Sequence, residues 1–283
     1  MFVRRIGLVT NVQKKDAERI RVELVEWLAK REVEILDSTE LPIERVIESS
    51  EVIICLGGDG TMLYVAGKMV RHQVPVLGVN LGALGFLTEV RTDELYDEMK
   101  LVLAGQMVTQ NRMMLSARVT LPESVTNESR TERRFQALND IVVNREGLTR
   151  YMEVKVEVGG EYVTRFFGDG VIIATPTGST AYSLSAGGPL VHPSLENILV
   201  TPICPHASSL RPLVVSGDQT IRLEIRCDQR EEKALFTADG QQDMEIDERF
   251  VCEIAKSVNR FKLVKSSKRS YFETLREKFK IPM

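Results

Sequence analysis

The sequence predicts an α/β N-terminal domain, a parallel sheet with flanking helices, followed by an all-β, sandwich-like C-terminal domain. Three observations carry this. Short apolar strands alternate with amphipathic helices in the first third of the chain, the pattern of right-handed βαβ crossovers. After residue 105 short strand patterns dominate, as in packed antiparallel sheets. A last helical segment, SYFETLREKF, is expected to return to the first domain. The boundaries read from this texture are 1–105 with 268–283 for the α/β domain and 106–267 for the β-rich one. A length of 283 residues accommodates both.

Taken in order, RRIGLVT is a short apolar strand. In KKDAERIRVELVEWLAK, Ala17, Ile20, Leu24, Trp27 and Leu28 recur at helical spacing. VEIL, EVIICL and VPVLGVN are three further strands, and TMLYVAGKMVRH between the last two is a helix. TDELYDEMKLVLAG is another, with Asp93 and Glu94 in its first turn and Gly105 just past its end. The β-rich part reads as MMLSARVTL, FQALNDIVVN, MEVKVEV, EYVTRFFG, DGVIIATP, LVVS, IRLEIRC, KALFTA, FVCEIAK and RFKLVKS. MEVKVEV and EYVTRF flank two glycines, the signature of a hairpin with a primed turn. ESVTNESRTERR is a solvated loop. STAYSLSAGG, small and hydroxylated, has helical potential directly after a strand.

The bulk numbers exclude several classes. A formal net charge of −3 offers no electrostatic footprint for nucleic acid or an anionic membrane. Cys55, Cys204, Cys227 and Cys252 form no CxxC pair, and His72, His192 and His206 are scattered, so zinc-type spacing is absent. No apolar run approaches the roughly 20 residues of a membrane span. The N-terminal residues have no cleavage-site pattern, so the expected location is the cytoplasm and the sequon at Asn127 is not used.

The chemistry concentrates in three stretches. CLGGDGT, residues 55–61, follows a strand and precedes a helix. Ligands of open parallel sheets bind at the carboxyl ends of the strands, and unpaired N–H groups at a helix start favour phosphate. Gly57, Gly58 and Gly60, with Thr61, frame such a turn. Phosphate binding alone would not choose Asp59, because a carboxylate repels phosphate. Asp59 makes sense facing a hydroxyl that must lose a proton, or helping to hold magnesium, and both tasks belong to phosphoryl transfer. GxxxxGK[ST] and GxGxxG are both missing, which excludes a Walker-type P-loop and the Rossmann fingerprint. A bare Asp-Gly pair is otherwise a common turn, and Asp169-Gly170 and Asp239-Gly240 repeat it.

The second stretch, ALNDIVV, sets Asn139 and Asp140 in a β-branched run, where both residue types are depleted. They mark a bulge, a strand end or an Asx turn. The third, GDGVIIATPTGSTAYSLSAGGPLVHP, offers more hydroxyl and amide groups than a core strand needs. Its Thr177, Thr180 and Tyr182 suit a ligand rich in polar groups. Ser179 or Thr180 could equally cap the following helix, and a capped helix start is also an anion site.

In this order GGDGT, LND and GDGVIIATPTGSTAYSLSAGGP resemble the NAD kinase family over nearly the whole chain. The resemblance implies transfer of the terminal phosphoryl group of ATP, with Mg²⁺ or another divalent ion, to the 2′-hydroxyl of the adenosine ribose of NAD, giving NADP. Asp59 would orient and deprotonate that hydroxyl. Asn139 and Asp140 would contact the adenosine half, and Asp169 the nicotinamide half, across a subunit contact. Thr177, Thr180, Ala181, Tyr182, Ser183 and Ser185 would line the dinucleotide pocket with Gly60. Arg150, Asp239 and Gln241 resemble further ligand-facing positions, although ADGQQ is equally a hairpin turn. Phe86, in LGALGFL, packs on a base or in the core. Lys68 and Arg71 lie downstream of the turn as candidates for a triphosphate clamp, and no protein metal ligand is assigned.

The implied partners are NAD and ATP, in a homodimer or homotetramer with the site near a subunit contact. Asp140 stands where many members have Glu, which shortens the reach and keeps the charge. Phe167 stands where some have a basic residue. Two alternatives differ in class: a GGDGT-type lipid or sugar kinase, and a non-catalytic NAD-binding sensor, which loss of the acidic group in GGDGT would favour.

Overall fold

A computed structural model of the chain describes residues 2–69, 72–121, 131–145, 152–207, 209–227 and 233–280. It divides into two compact units, Met1–Asn111 with Phe261–Met283, and Arg112–Arg260.

The first unit runs β1 (Arg5–Thr10), α1 (Ala17–Ala29), β2 (Glu34–Asp37), α2 (Ile43–Ser49), β3 (Val52–Gly57), α3 (Asp59–Lys68), β4 (Val76–Asn80), β5 (Val90–Arg91) and α4 (Leu95–Leu103). The strands are parallel in the order β4-β3-β1-β2, with β5 on the outer edge of β4. On one face, Leu24 and Leu28 of α1 and Met99 and Val102 of α4 pack on Leu8, Ile54, Leu56 and Val79. All are buried, each contributing about 1.5–3 kcal/mol of apolar transfer. The predicted stripe of α1 holds except at Trp27, which is half-buried and packs its ring on Tyr96, centroids 5.4 Å apart. Helix α2 was not anticipated: it is short, and Pro42 precedes Ile43, Val46 and Ile47, its buried face.

The second unit contains β6 (Thr109–Leu121), β7 (Thr131–Ala137), β8 (Asp140–Arg145), β9 (Met152–Val158), β10 (Glu161–Gly168), β11 (Gly170–Ala174), α5 (Tyr182–Ser185), β12 (Asn197–Ile203), β13 (Leu213–Ser216), β14 (Ile221–Cys227), β15 (Ala234–Ala238), β16 (Gln242–Ile246) and most of β17 (Val251–Val264). One antiparallel sheet has the order β13-β12-β11-β8-β15-β16. The other runs β10-β9-β14-β17, with β6 on β17 and β7 on β6. Val154, Val156, Leu223 and Ile225 of one sheet meet Ile141, Val143, Ile173 and Phe236 of the other in a single core. Ile172, Val142 and Leu199 point to the opposite face, where Val191 and Ala186 cover them. Strand β11 is therefore buried on both faces, which explains its unbroken apolar run.

The hairpin between β9 and β10 turns through Gly159 and Gly160, at φ 61° and 86°. Both lie in the left-handed region a primed turn demands. Three expectations are corrected. FQALNDIVVN is two strands, interrupted at Leu138-Asn139. TERR, assigned to a loop, opens β7, with Arg133 and Arg134 exposed and Phe135 buried. FVCEIAK and RFKLVKS are one strand, β17: the burial alternation changes phase after Ile254, but no turn residue breaks the pairing.

Chain-terminal residues complete the first unit. The end of β17 pairs in parallel with β4 at Leu263 and Val76. Helix α6 (Tyr271–Phe279) starts with a Ser270–Glu273 capping box. Before it, the Arg269 guanidinium grips both Glu94 oxygens at 2.6 and 2.7 Å, and Ser267 donates twice to Glu98 at 2.8 Å.

Candidate functional site

The first constellation lies at the carboxyl ends of β3 and β4, where Gly57 and Asn80 are register partners. Gly58 occupies the N-cap of α3 with extended backbone, so Asp59 is the first helical residue, two earlier than the sequence pattern suggested. Its carboxylate reaches across to the segment after β4. The N–H groups of Leu87 and Thr88 and the Thr88 hydroxyl donate to Oδ1 at 3.0, 3.1 and 3.0 Å, and the Phe86 N–H donates to Oδ2 at 2.9 Å. Asp59 is thus no mere turn residue. Four donors fix its two oxygens, three on one and one on the other. Oδ2 keeps acceptor capacity for an incoming hydroxyl.

Gly85 makes this possible. A Cβ there would lie 2.0 Å from Asp59 Oδ1. At Gly58 and Gly60 a Cβ would meet nothing within 4 Å, so this side of the turn is open to a ligand. Thr61 is buried. Phe86 supplies its backbone to Asp59 while its ring lies against Tyr271 and Phe279 of α6, centroids 6.3 and 5.8 Å away. The ring is half-buried and has these two aromatic neighbours. Lys68 sits at the far end of α3, about 14 Å along the axis from Asp59, and pairs with Glu44 at 3.2 Å. It is a surface charge in this structure. Arg71 and Arg150 lie outside the described residues.

The second constellation belongs to the other unit, where the second motif, the third motif and the ADGQQ hairpin converge. β15 and β16 form that hairpin, with Ala238 opposite Gln242 and with Asp239 and Gly240 at φ 54° and 61°. Of the two sequence readings of Asp239, the structure shows the hairpin turn, and it gives the carboxylate backbone partners. The carboxylate accepts the N–H groups of Leu138, Asn139 and Asp140 at 2.8, 2.7 and 3.1 Å. This bracket diverts the backbone at Asn139 and ends β7. From the other side the Thr175 hydroxyl donates to Leu138 O at 2.6 Å, and Thr175 N–H to Asn139 O at 2.8 Å. Gly178 packs so closely on Asn139 that a Cβ would lie 2.1 Å from its carbonyl oxygen.

Asp140 is buried at the start of β8. Burial, then the neighbouring Asp239 charge, pushes its carboxyl up to about 7. Burial raises Asp239 to about 6 against the pull of its three N–H donors.

The hydroxyl-rich stretch divides by task. Ser179 donates to Pro176 O at 2.7 Å and accepts Val191 N–H at 3.0 Å, and it caps nothing. Ser183 is fully buried, its hydroxyl 2.9 Å from that of Thr201, so it ties α5 to β12 rather than lining an open surface. Thr180 donates to Thr177 O at 3.2 Å, and Thr177 is buried. Helix α5 has four residues and its N-cap is Ala181, with no side-chain cap, which removes the capped-helix reading. Tyr182 and Ser185 are exposed, and Thr180 and Ala181 half-buried. Gln241 is exposed. Asp169 pairs with Arg145 at 2.8 Å.

Sequence reasoning passed over Asn80, Gly85, Thr88, Thr175 and Arg145. Asn80 ends an apolar strand much as Asn139 interrupts one, and that signal was available. Among the described residues no helix is long and apolar enough to cross a membrane.

Comparison with known proteins identifies the family. The family model of the ATP-NAD kinase N-terminal domain matches residues 43–107, and that of the ATP-NAD kinase C-terminal domain matches residues 138–266. The chain is 41% identical to an NAD kinase of Magnetococcus marinus, covering 96% of this chain and 92% of that one. It is 40% identical to one of Syntrophotalea carbinolica, covering 98% of both. Among solved structures, an Archaeoglobus fulgidus NAD kinase in complex with ATP superposes with a TM-score of 0.78 at 30% identity, over 96% of this chain and 99% of that one. A yeast NADH kinase complexed with NADH shares the fold, with a TM-score of 0.88 at 24% identity over 99% and 88%. With a carboxylate bracketed in GGDGT, the LND, TPTGST and ADG segments packed together, and near-full-length identity of about two residues in five, the chain belongs to the NAD kinase family.

Proposed function

We propose that this chain transfers the terminal phosphoryl group of ATP to the 2′-hydroxyl of the adenosine ribose of NAD, giving NADP. The observation that carries this reading is the Asp59 carboxylate, held by four donors beside an open glycine turn, with one oxygen still able to accept. The ribose O–H donates to Asp59 Oδ2. As the ribose oxygen bonds to the terminal phosphorus, the bond to the bridging oxygen breaks, ADP departs and the hydroxyl proton passes to the carboxylate. Such transfer rests mainly on positioning and electrostatics, with a base adding about 10²–10⁴-fold. Gly58 and Gly60 let the phosphates approach the backbone.

Asn139 and Asp140, set by the Asp239 bracket, hold the adenosine half. Thr177, Thr180, Ala181, Tyr182 and Ser185 line the dinucleotide, Asp169 serves the nicotinamide end, and Arg150 and Gln241 are further contacts. Phe86 acts here through its N–H, and Asp239 through the backbone it brackets.

Among the described residues no group of three or more His, Cys, Asp or Glu side chains is placed to hold an ion. The divalent ion is proposed to arrive with the ATP, whose phosphates and waters supply most magnesium ligands. The homodimer or homotetramer and the cytoplasmic location implied by the family resemblance are retained as part of the proposal, and light scattering on the purified chain tests the former.

The deciding experiment mixes the chain with ATP, Mg²⁺ and NAD and detects product with a dehydrogenase that accepts only NADP. An EDTA-sensitive signal in the wild type, with Asp59→Asn folded, binding NAD and slower by about 10²-fold or more, supports the reading. Wild-type turnover in Asp59→Asn removes Asp59 as the base. No signal with NAD still bound favours the sensor.

A further inference from the structure

The donors that hold Asp59 are themselves held. Asn80, the last residue of β4, is 6% exposed, and Thr88 is fully buried. Asn80 Oδ1 accepts the Gly82 N–H at 2.6 Å. This fixes the amide orientation, so Nδ2 faces Ala83 O at 2.7 Å and Thr88 Oγ1 at 2.8 Å. An amide NH₂ is a donor without acceptor capacity. Thr88 Oγ1 must therefore accept from Asn80, and its single hydrogen goes to Asp59 Oδ1, 3.0 Å away. The direction of the chain Asn80→Thr88→Asp59 is set at its first member.

We infer that Asn80 and Thr88 are positioning residues for phosphoryl transfer, a polar relay that loads Asp59 Oδ1 with donors and leaves Oδ2 as the oxygen that meets the acceptor hydroxyl. The inference rests on the reading of Asp59 given above. Two features favour a built device over incidental loop packing. The relay uses every strong hydrogen-bonding atom of the Asn80 amide inside one short segment, Gly82 to Thr88. Asn80 also stands opposite Gly57 in the sheet register, so the strand pairing that places GGDGT places the first member of the relay. The loop from Asn80 to Leu84 forms one wall of an open cavity of about 720 Å³, with Arg19, Arg91 and Lys278 among its other residues. The relay thus stiffens a segment that solvent reaches from outside.

The test is a comparison of Thr88→Val, Thr88→Ser and Asn80→Asp, each also in the Asp59→Asn background. Thr88→Val keeps the shape and removes the hydroxyl. Asn80→Asp keeps the shape and turns a donor into an acceptor, so the Thr88 hydroxyl is drawn away from Asp59. Both are expected to lower kcat by roughly 10- to 100-fold with KM for NAD changed less than about twofold. Thr88→Ser is expected to recover most of the turnover. In the Asp59→Asn background neither substitution should lower kcat further, because the relay acts through Asp59.

A folded Thr88→Val enzyme with wild-type kcat overturns the proposal. So does a loss that persists undiminished in the Asp59→Asn background. Where valine is not tolerated, Asn80→Asp decides on the same two criteria. Full turnover by Asp59→Asn alone would instead remove the reading of Asp59, so the two failures are told apart.

Discussion

Replacing Gly85 with alanine puts a single methyl group where the structure has least room for one. The added Cβ would lie 2.0 Å from Asp59 Oδ1, 2.6 Å from Asp59 Cγ and 2.3 Å from Thr88 Oγ1. Real contacts of this kind need well over 3 Å, so the carboxylate has to move by more than about 1 Å. Gly85 is not at positive φ, so the conflict is one of space and not of backbone strain. The obstacles are side-chain atoms, and Asp59 can yield by rotating away. It then forfeits four hydrogen bonds, each of a kind that contributes about 1.5–3 kcal/mol to a charged group. Because Asp59 is half-exposed, water replaces most of that, and a net destabilisation of about 1–3 kcal/mol is expected.

The kinetic effect is larger than the thermodynamic one. A reacting group displaced by about 1 Å costs on the order of 10²-fold. Urea unfolding should show a modest fall in midpoint with an unchanged slope, and calorimetry should show NAD still bound. The coupled assay should show kcat down about 10²-fold. A folded Gly85→Ala enzyme with wild-type kcat would refute the claim that this bracket orients Asp59 for the proposed transfer.

Three further outcomes are expected. Gly60→Ala meets no atom within 4 Å and lies in the first turn of α3. It should stabilise the ligand-free chain by a few tenths to about 1 kcal/mol while raising KM for ATP, and an unchanged KM would separate Gly60 from the phosphates. Gly178→Ala drives a Cβ to 2.1 Å from Asn139 O and 2.5 Å from its carbonyl carbon, both backbone atoms that cannot rotate aside. The cost is about 1–3 kcal/mol or more with weakened NAD affinity, read by thermal unfolding and calorimetry.

Asp140→Asn tests the raised carboxyl. The folded protein holds this proton to about pH 7, whereas the unfolded chain releases it near 4. Stability from this group is therefore full below pH 4 and is lost as pH rises towards 7. The substitution should stabilise the ligand-free protein at pH 8 by up to about 4 kcal/mol and have little effect at pH 4. A stabilisation equal at both pH values would show that Asp140 titrates normally.

The sequence by itself determined the strand–GGDGT–helix unit, because an apolar run, a glycine turn and a helical period are local signals. For the same reason it determined the Gly159-Gly160 hairpin and the buried stripe of α1. It also marked Asn139 and Asp140 as out of place in a strand, and the structure ends β7 and begins β8 there. It could not join FVCEIAK to RFKLVKS, since the phase change within β17 mimics a strand end and the pairing that carries the strand through is non-local. Nor could it say what the carboxylates touch. Asp59 and Thr88 are 29 residues apart, and Asp239 and Asn139 are 100. Those distances close only when β4 settles beside β3 and β15 beside β8. Residue types and local spacing fix which groups exist. The long-range strand pairing decided which N–H groups surround them, which oxygen remains able to accept, and which serine is sealed inside.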